Sequence, residues 1–217
     1  MKVLIACEES QEVCKAFRDR GHEAYSCDIQ DCSGDHPEWH IIDDVLNYIN
    51  GYCQFFTRGG QWVYIDSQWD LLIAHPPCTD LAVSGARWFP EKQKDFRQQK
   101  SCVFFMQMIL ANAKRVAVEN PIGIMSNCYR PPDQIIQPYQ FGDPARKSTC
   151  LWLRNLPKLK PTDIVKPNLV SYKCSSGKIA TFSADYGGSD NGKGGKRRSK
   201  TYPGIAQAMA EQWGDLE

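Results

Sequence analysis

The sequence predicts an α/β protein, a three-layer, Rossmann-like sandwich in which a largely parallel sheet lies between helices. Three observations predict it. Short apolar runs alternate with helix-length amphipathic segments, the pattern of repeated β-α-β units. The runs are apolar nearly throughout, as strands covered on both faces must be. With 217 residues, 42% of them hydrophobic, the chain can bury one sizeable core and is expected to form one domain.

Residues 2 to 6, KVLIA, read as the first strand, and residues 10 to 20, SQEVCKAFRDR, as a helix. Ser10 is its expected N-cap, Val13, Ala16 and Phe17 its apolar stripe, and Gly21 its stop. HEAYSCDI gives a second strand ending at Asp28, which completes the opening β-α-β unit. HIIDDVLNYI, residues 40 to 49, holds a short apolar element and the acid pair Asp43 and Asp44. WDLLIAHPPC is a strand that must leave the sheet at Pro76 and Pro77, because proline cannot donate to the ladder.

Residues 92 to 113 read as one long helix with Phe96, Val103, Phe104 and Leu110 among its apolar positions. RVAVENP, residues 115 to 121, is a buried strand ending in Glu-Asn-Pro; TCLWL, 149 to 153, is another, and IAQAMAEQW, 205 to 213, the final helix. The stretch from about 154 to 203 carries Pro157, Pro161 and Pro167, then GGSDNGKGGKRRSK, and is expected to be irregular. No internal repeat is evident.

No apolar run reaches membrane-spanning length, and MKVLIACEES turns acidic too soon for a secretory signal. An intracellular, soluble protein is expected, with its ten cysteines reduced and no membrane partner. Charge is uneven. Residues 1 to 70 hold 13 acids and 5 bases, a net of −8, whereas the remainder holds 12 acids and 21 bases, a net of +9. Such asymmetry fits either a nucleic-acid-facing side or a merely solvated surface.

Ligands of open α/β sheets bind beyond the carboxyl ends of the strands, near the point where strand order reverses. Asp28, Cys78 and Glu119 each follow a strand at such an end. Cys78 is either a packed thiol or a nucleophile, and the carboxylate on a neighbouring strand favours the second. A Cys-x5-Arg phosphatase loop is excluded, because the required arginine position holds Ser84. Cys27, Cys32, His36 and His40 are spaced more tightly than paired zinc knuckles, so no metal is expected.

PPCT (76 to 79) after one apolar strand and VENP (118 to 121) after the next resemble the Pro-Cys and Glu-Asn motifs of DNA cytosine-5 methyltransferases. YQFGDPARKSTCLWL, 139 to 153, is similar to that family's late Phe/Tyr-Gly-x-Pro motif with its following basic residues and strand. The resemblance covers most of residues 1 to 153. It is nearest to the compact phage- or prophage-type members, which lack a large target-recognition domain. It implies a class I methyltransferase-type fold over 1 to 217, with 154 to 203 standing in for a reduced recognition region, in the cytoplasm of a bacterial host.

The implied roles are specific. Cys78 adds to C6 of a flipped cytosine, Glu119 meets its N3 side, and Asn120 shapes the pocket. The arginine of the late motif is missing from its register, which leaves Lys147 or Arg146 in its place. S-adenosylmethionine is the implied cofactor. Its implied contacts are the turn Ala6, Cys7, Glu8, Glu9 and Ser10, with Glu8 or Glu9 toward its ammonium group. Asp28 and Ile29 would hold its ribose end, Asp43 or Asp44 its adenine, and His75 and Pro76 the wall. DNA, duplex or single-stranded, is the implied partner of a monomeric enzyme, contacted through Ser84, Arg87 and Trp88 in the loop after Cys78 and through Lys196, Arg197 and Arg198.

Two departures from the family stand out: IACEES, 5 to 10, has no glycine where the family has a glycine-rich turn, and TYPGIAQAM, 201 to 209, replaces its Gly-Asn motif. The altered turn, together with the late motif's missing arginine, leaves open a catalytically silent nucleic-acid-binding protein. A base-amino methyltransferase is the other alternative, although Cys78 stands where that class carries an aromatic.

Overall fold

The computed structural model of the chain describes residues 1–173, 179–183 and 200–216. A seven-stranded, mostly parallel sheet flanked by helices organises it, an arrangement compatible with a Rossmann-like fold. In chain order the elements are β1 (Lys2–Ala6), α1 (Glu12–Asp19), β2 (Glu23–Asp28) and β3 (His40–Ile42). A hairpin of β4 (Cys53–Phe56) and β5 (Trp62–Ile65) follows, then β6 (Trp69–Ala74), α2 (Phe89–Lys94), α3 (Arg97–Leu110) and β7 (Ala113–Pro121). After these come α4 (Met125–Cys128), β8 (Gln134–Ile136), β9 (Thr149–Arg154), the hairpin β10 (Leu169–Lys173) and β11 (Ile179–Ser183), and α5 (Pro203–Gly214).

The sheet runs β3-β2-β1-β6-β7-β9-β8, with the first five strands parallel and β9 antiparallel to both neighbours. Strand order reverses between β1 and β6, because the chain winds outward from β1 to β3 and then returns to β6 on the other side. A crevice is therefore expected beyond the carboxyl ends of β1 and β6.

Period-two alternation along the central strands sorts their residues onto two cores. Leu4, Leu72, Val116 and Val118 face Phe105, Met108 and Ile109 of α3, while Val3, Ile5, Leu71 and Ile73 face Val13 and Phe17 of α1 and Met209 and Trp213 of α5. All of these side chains are buried, which is why the runs read as uninterrupted apolar stretches. Phe105 meets Trp152 edge-on, with ring centroids 5.0 Å apart. Phe105→Ala is expected to cost about 3–5 kcal/mol of unfolding free energy, read as a lower denaturant midpoint at unchanged slope.

Several expectations need correction. Residues 92 to 113 do not form one helix: α2 ends at Lys94, Phe96 takes a left-handed conformation (φ 60°), and the Asp95 carboxylate accepts from the Arg97 N–H to start α3. Arg154 of β9 closes the far end of α3 by donating to the carbonyls of Ile109, Ala111 and Ala113. Ser10 does not cap α1. Gln11 occupies the cap position without a side-chain cap bond, and the carboxylate of Glu8 accepts from Val13 N (2.7 Å) and Cys14 N (3.2 Å) instead. The segment expected to be irregular contains the β10–β11 hairpin, and much of its remainder, including Lys196, Arg197 and Arg198, lies outside the described residues.

Candidate active site

Sheet register determines which residues meet. Ala6 pairs with Cys27 on one side and Ala74 on the other, and Ala74 pairs with Val118. One residue further along each strand brings Asp28, Cys7, His75 and Glu119 into a single row across the carboxyl edge. A cleft of about 480 Å³ opens at this edge, lined by Cys7, Glu8, Glu9, Ser10, Asp28 and Gln30, by His75, Pro77, Cys78 and Thr79, and by Lys200 and Thr201.

Beyond Ala74 the chain still follows the sheet for one residue, with His75 N donating to Ala6 O at 2.9 Å. Pro76 and Pro77 then stop the ladder, and Cys78 stands exposed at the rim. On the neighbouring strand, Asn120 is buried and its Nδ2 donates to the Pro76 carbonyl at 2.8 Å, tying the proline exit to the Glu-Asn-Pro segment. Glu119 receives a hydrogen bond across the two strands: His75 Nδ1 lies 3.2 Å from Glu119 Oε2. Both side chains are largely buried, with His75 10% and Glu119 17% exposed.

Charge sets the reactivity of this group. Burial works to raise the Glu119 carboxyl, but the hydrogen bond and charge of His75, with the charge of Lys147, outweigh it and hold Glu119 below the usual carboxylate value. For Cys78, lost hydration and then the Glu119 charge push the thiol above its ordinary value, against the opposing pull of Lys147 and Lys92. Lys147 therefore acts on both groups and also lies over the Tyr202 ring, 6.0 Å from its centroid. Arg146 is exposed, and its backbone N–H donates to Ser183 Oγ. Alkylation of Cys78 by iodoacetamide, followed by peptide mass spectrometry, is expected to be slow at neutral pH and to rise beyond the range of a free thiol near pH ~8.5. Lys147→Met should move that rise to still higher pH.

The turn after β1 resolves the missing glycines in an unexpected way. Cys7 and Gln11 both adopt the left-handed conformation, at φ 59°, that glycine ordinarily serves, at a cost on the order of 1–3 kcal/mol each. Gln11 supplies compensation: its buried amide donates to His36 O (2.8 Å) and Ser26 Oγ (3.3 Å), and its oxygen accepts from His36 N (3.1 Å). The Cys7 thiol is raised to about 12, chiefly by burial and then by the charges of Asp28 and Asp44, so it is no second nucleophile.

The expected cofactor contacts fall into distinct groups. Glu8 lines the cleft, and its carboxylate oxygens each accept a backbone N–H at the start of α1. Glu9 and Ser10 are buried in the cleft wall. Ala6 and Pro76 are buried behind the cleft lining, and their carbonyls accept from His75 N and Asn120 Nδ2. Asp28 lines the cleft while accepting from Gln30 N at 2.9 Å, and Ile29 beside it is 78% exposed, an apolar surface that a planar ring could cover. Asp43 accepts from the Tyr48 hydroxyl (2.5 Å), and Asp44 accepts from Leu46 N (3.0 Å), so both are partly engaged beyond the cleft lining. Cleft volume, a carboxylate at the end of β2 and an apolar neighbour together fit an adenosyl group.

Residues 79 to 100 are more structured than a free loop. Lys92, only 8% exposed at its side chain, lies 3.2 Å from Asp80 and donates to the Thr79 carbonyl. Gln98 and Ser101 of α3 also hold Asp80. Ser84, Arg87 and Trp88 ride above this anchor on a short 3₁₀ helix, exposed, with the Arg87 guanidinium 4.9 Å from the Trp88 ring centroid. Of the residues weighed for zinc, His40 is committed to Ser26 Oγ and the Gln30 carbonyl, both at 2.9 Å, and His36 stacks on Trp39. No helix among the described residues is long and apolar enough to cross a membrane.

Sequence reading did not single out Lys92, Gln11, Lys200 or Thr201, nor the pairing of His75 with Glu119. Lys92 and Gln11 carried no signal, because their partners are distant in sequence. No family model matches the chain, and no curated protein matches it either.

Proposed function

We propose that the protein is a DNA cytosine-5 methyltransferase-like enzyme of the class I, S-adenosylmethionine-dependent type. The observation that carries this reading is the convergence of an exposed thiol, Cys78, and a largely buried carboxylate, Glu119, beside the topological switch point, tied together through Asn120 and the Pro76 carbonyl. Bound S-adenosylmethionine supplies an electrophilic methyl group; the turn from Cys7 to Ser10, Asp28 and Ile29 would hold it.

The chain's own residues activate the base. Cytosine C5 is a poor nucleophile until a thiolate adds at C6 and makes C5 enamine-like. Cys78 gives up its proton, its sulfur bonds to C6, and the C5=C6 electron pair moves through the ring toward N3. Glu119 and its partners meet the charge that develops there, and Lys147 stabilises the thiolate beforehand. Once C5 has taken the methyl group, loss of its proton restores the double bond and expels the sulfur. Because a stacked base hides C6, the target must be flipped out or single-stranded, and Arg87 and Trp88 flank the rim where backbone and bases would pass.

Incubation with S-adenosylmethionine and mixed-sequence DNA, followed by nucleoside mass spectrometry, separates the readings. Label in 5-methylcytosine supports this one. Label only in N4-methylcytosine or N6-methyladenine would assign the protein to the amino-group class, and DNA binding with no transfer to the silent binders.

A further inference from the structure

Glu119 is held ionised, yet the proposed addition requires a proton at N3 of the base. A carboxylate cannot supply one by itself. His75 is its direct partner. Glu119 on β7 lies 3.2 Å from the ring, and Glu8, from the turn after β1, interacts with it electrostatically, although burial pushes the Glu8 carboxyl above its usual value. Lys147, Cys78 and Cys150 also interact with Glu119, and Lys92 acts on Cys78. Among the described residues His75 Nε2 is buried with no hydrogen-bond partner, an arrangement that costs about 1–3 kcal/mol.

We propose that His75 and Glu119 act as one proton-exchanging pair on the target base, with His75 both positioning Glu119 and serving as its proton reservoir. In this proposal His75 starts as the imidazolium: as Cys78 Sγ bonds to C6 and the electron pair reaches N3, its Nδ1 proton passes to the Glu119 carboxylate and from that carboxyl on to N3, leaving neutral His75. The pair loses one proton, the base gains one, and Glu119 ends as it began. Expulsion of the sulfur returns the proton by the same path. The assignment rests on the proposed reaction for what the pair does to a base, but the coupling within the pair stands apart from it.

Two measurements on the full-length protein test it, using wild type, His75→Asn and His75→Ala. The first is the rate of covalent adduct formation with 5-fluorocytosine DNA as a function of pH. Wild type should show a rising limb from Cys78 and a falling limb as the pair loses its proton. His75→Asn, which keeps a donor toward Glu119 but holds no transferable proton, should be slower by about 100-fold and lack the falling limb. A wild-type rate and profile in His75→Asn would overturn the proposal while leaving the methyltransferase reading intact. The second is the titration of the Glu119 carboxyl by carbon-13 NMR. His75→Ala should raise its midpoint above the usual glutamate value, since burial is then opposed by Lys147 alone, and His75→Asn should keep it lower. If wild type forms no adduct, the methyltransferase reading fails. An unmoved Glu119 in His75→Ala refutes the coupling, whatever the first measurement gives.

Discussion

Cys78→Ser is expected to abolish methyl transfer, by at least about 10³-fold, with unfolding free energy changed by no more than about 0.5 kcal/mol. The two halves of this expectation come from different features of the structure. Cys78 is exposed at the end of the proline exit, and the Asn120 bond to Pro76 holds that exit without using the sulfur. Serine therefore fits. What it cannot do is ionise near neutral pH, and the nearby Glu119 charge penalises an alkoxide even more than a thiolate. Full transfer by Cys78→Ser would show that the sulfur forms no bond to the base. Transfer assays paired with urea unfolding read both halves.

Glu119→Gln should lower transfer by about 10² to 10³-fold while making Cys78 easier to alkylate at neutral pH. The opposite signs are diagnostic. Glu119 raises the Cys78 thiol, so removing its charge frees the thiolate; the same change removes the group proposed to meet N3. A general loss of structure would reduce transfer without a matching, site-specific gain in alkylation. The pH dependence follows from the lowered carboxyl. Its stabilising contribution is complete above the unfolded glutamate value and is lost as pH falls through the folded one, so Glu119→Gln should flatten the acid limb of stability against pH.

Strongly patterned elements were legible in the sequence. The strands at 2 to 6 and 149 to 153 and the helices near residues 10 to 20 and 205 to 213 follow apolar runs bounded by polar or glycine residues, and the structure places them within a few residues. The break at Phe96 was not legible, because a left-handed phenylalanine has no propensity signature. The β4–β5 hairpin was legible and overlooked: CQFF and WVYI flank Gly59 and Gly60, a strand-turn-strand pattern.

For the site, Cys78 and Glu119 were visible as strand-end residues, since proline marks where each strand leaves the sheet. The row that Glu119 shares with His75, Cys7 and Asp28 was not, because it depends on inter-strand register, which no local pattern encodes. Glu8 illustrates the same limit from the other side. In sequence it is an acid in a cofactor turn; in the fold its carboxylate caps a helix that Ser10 was expected to cap.

The central claim is a covalent bond between Cys78 and a cytosine. Intact-mass analysis of the protein incubated with S-adenosylmethionine and 5-fluorocytosine DNA, followed by peptide mapping, tests it most directly. The expected result is an adduct of one protein and one strand, mapped to Cys78 and absent in Cys78→Ser. No adduct across duplex and single-stranded substrates of mixed sequence, or an adduct mapped to another cysteine, would contradict it.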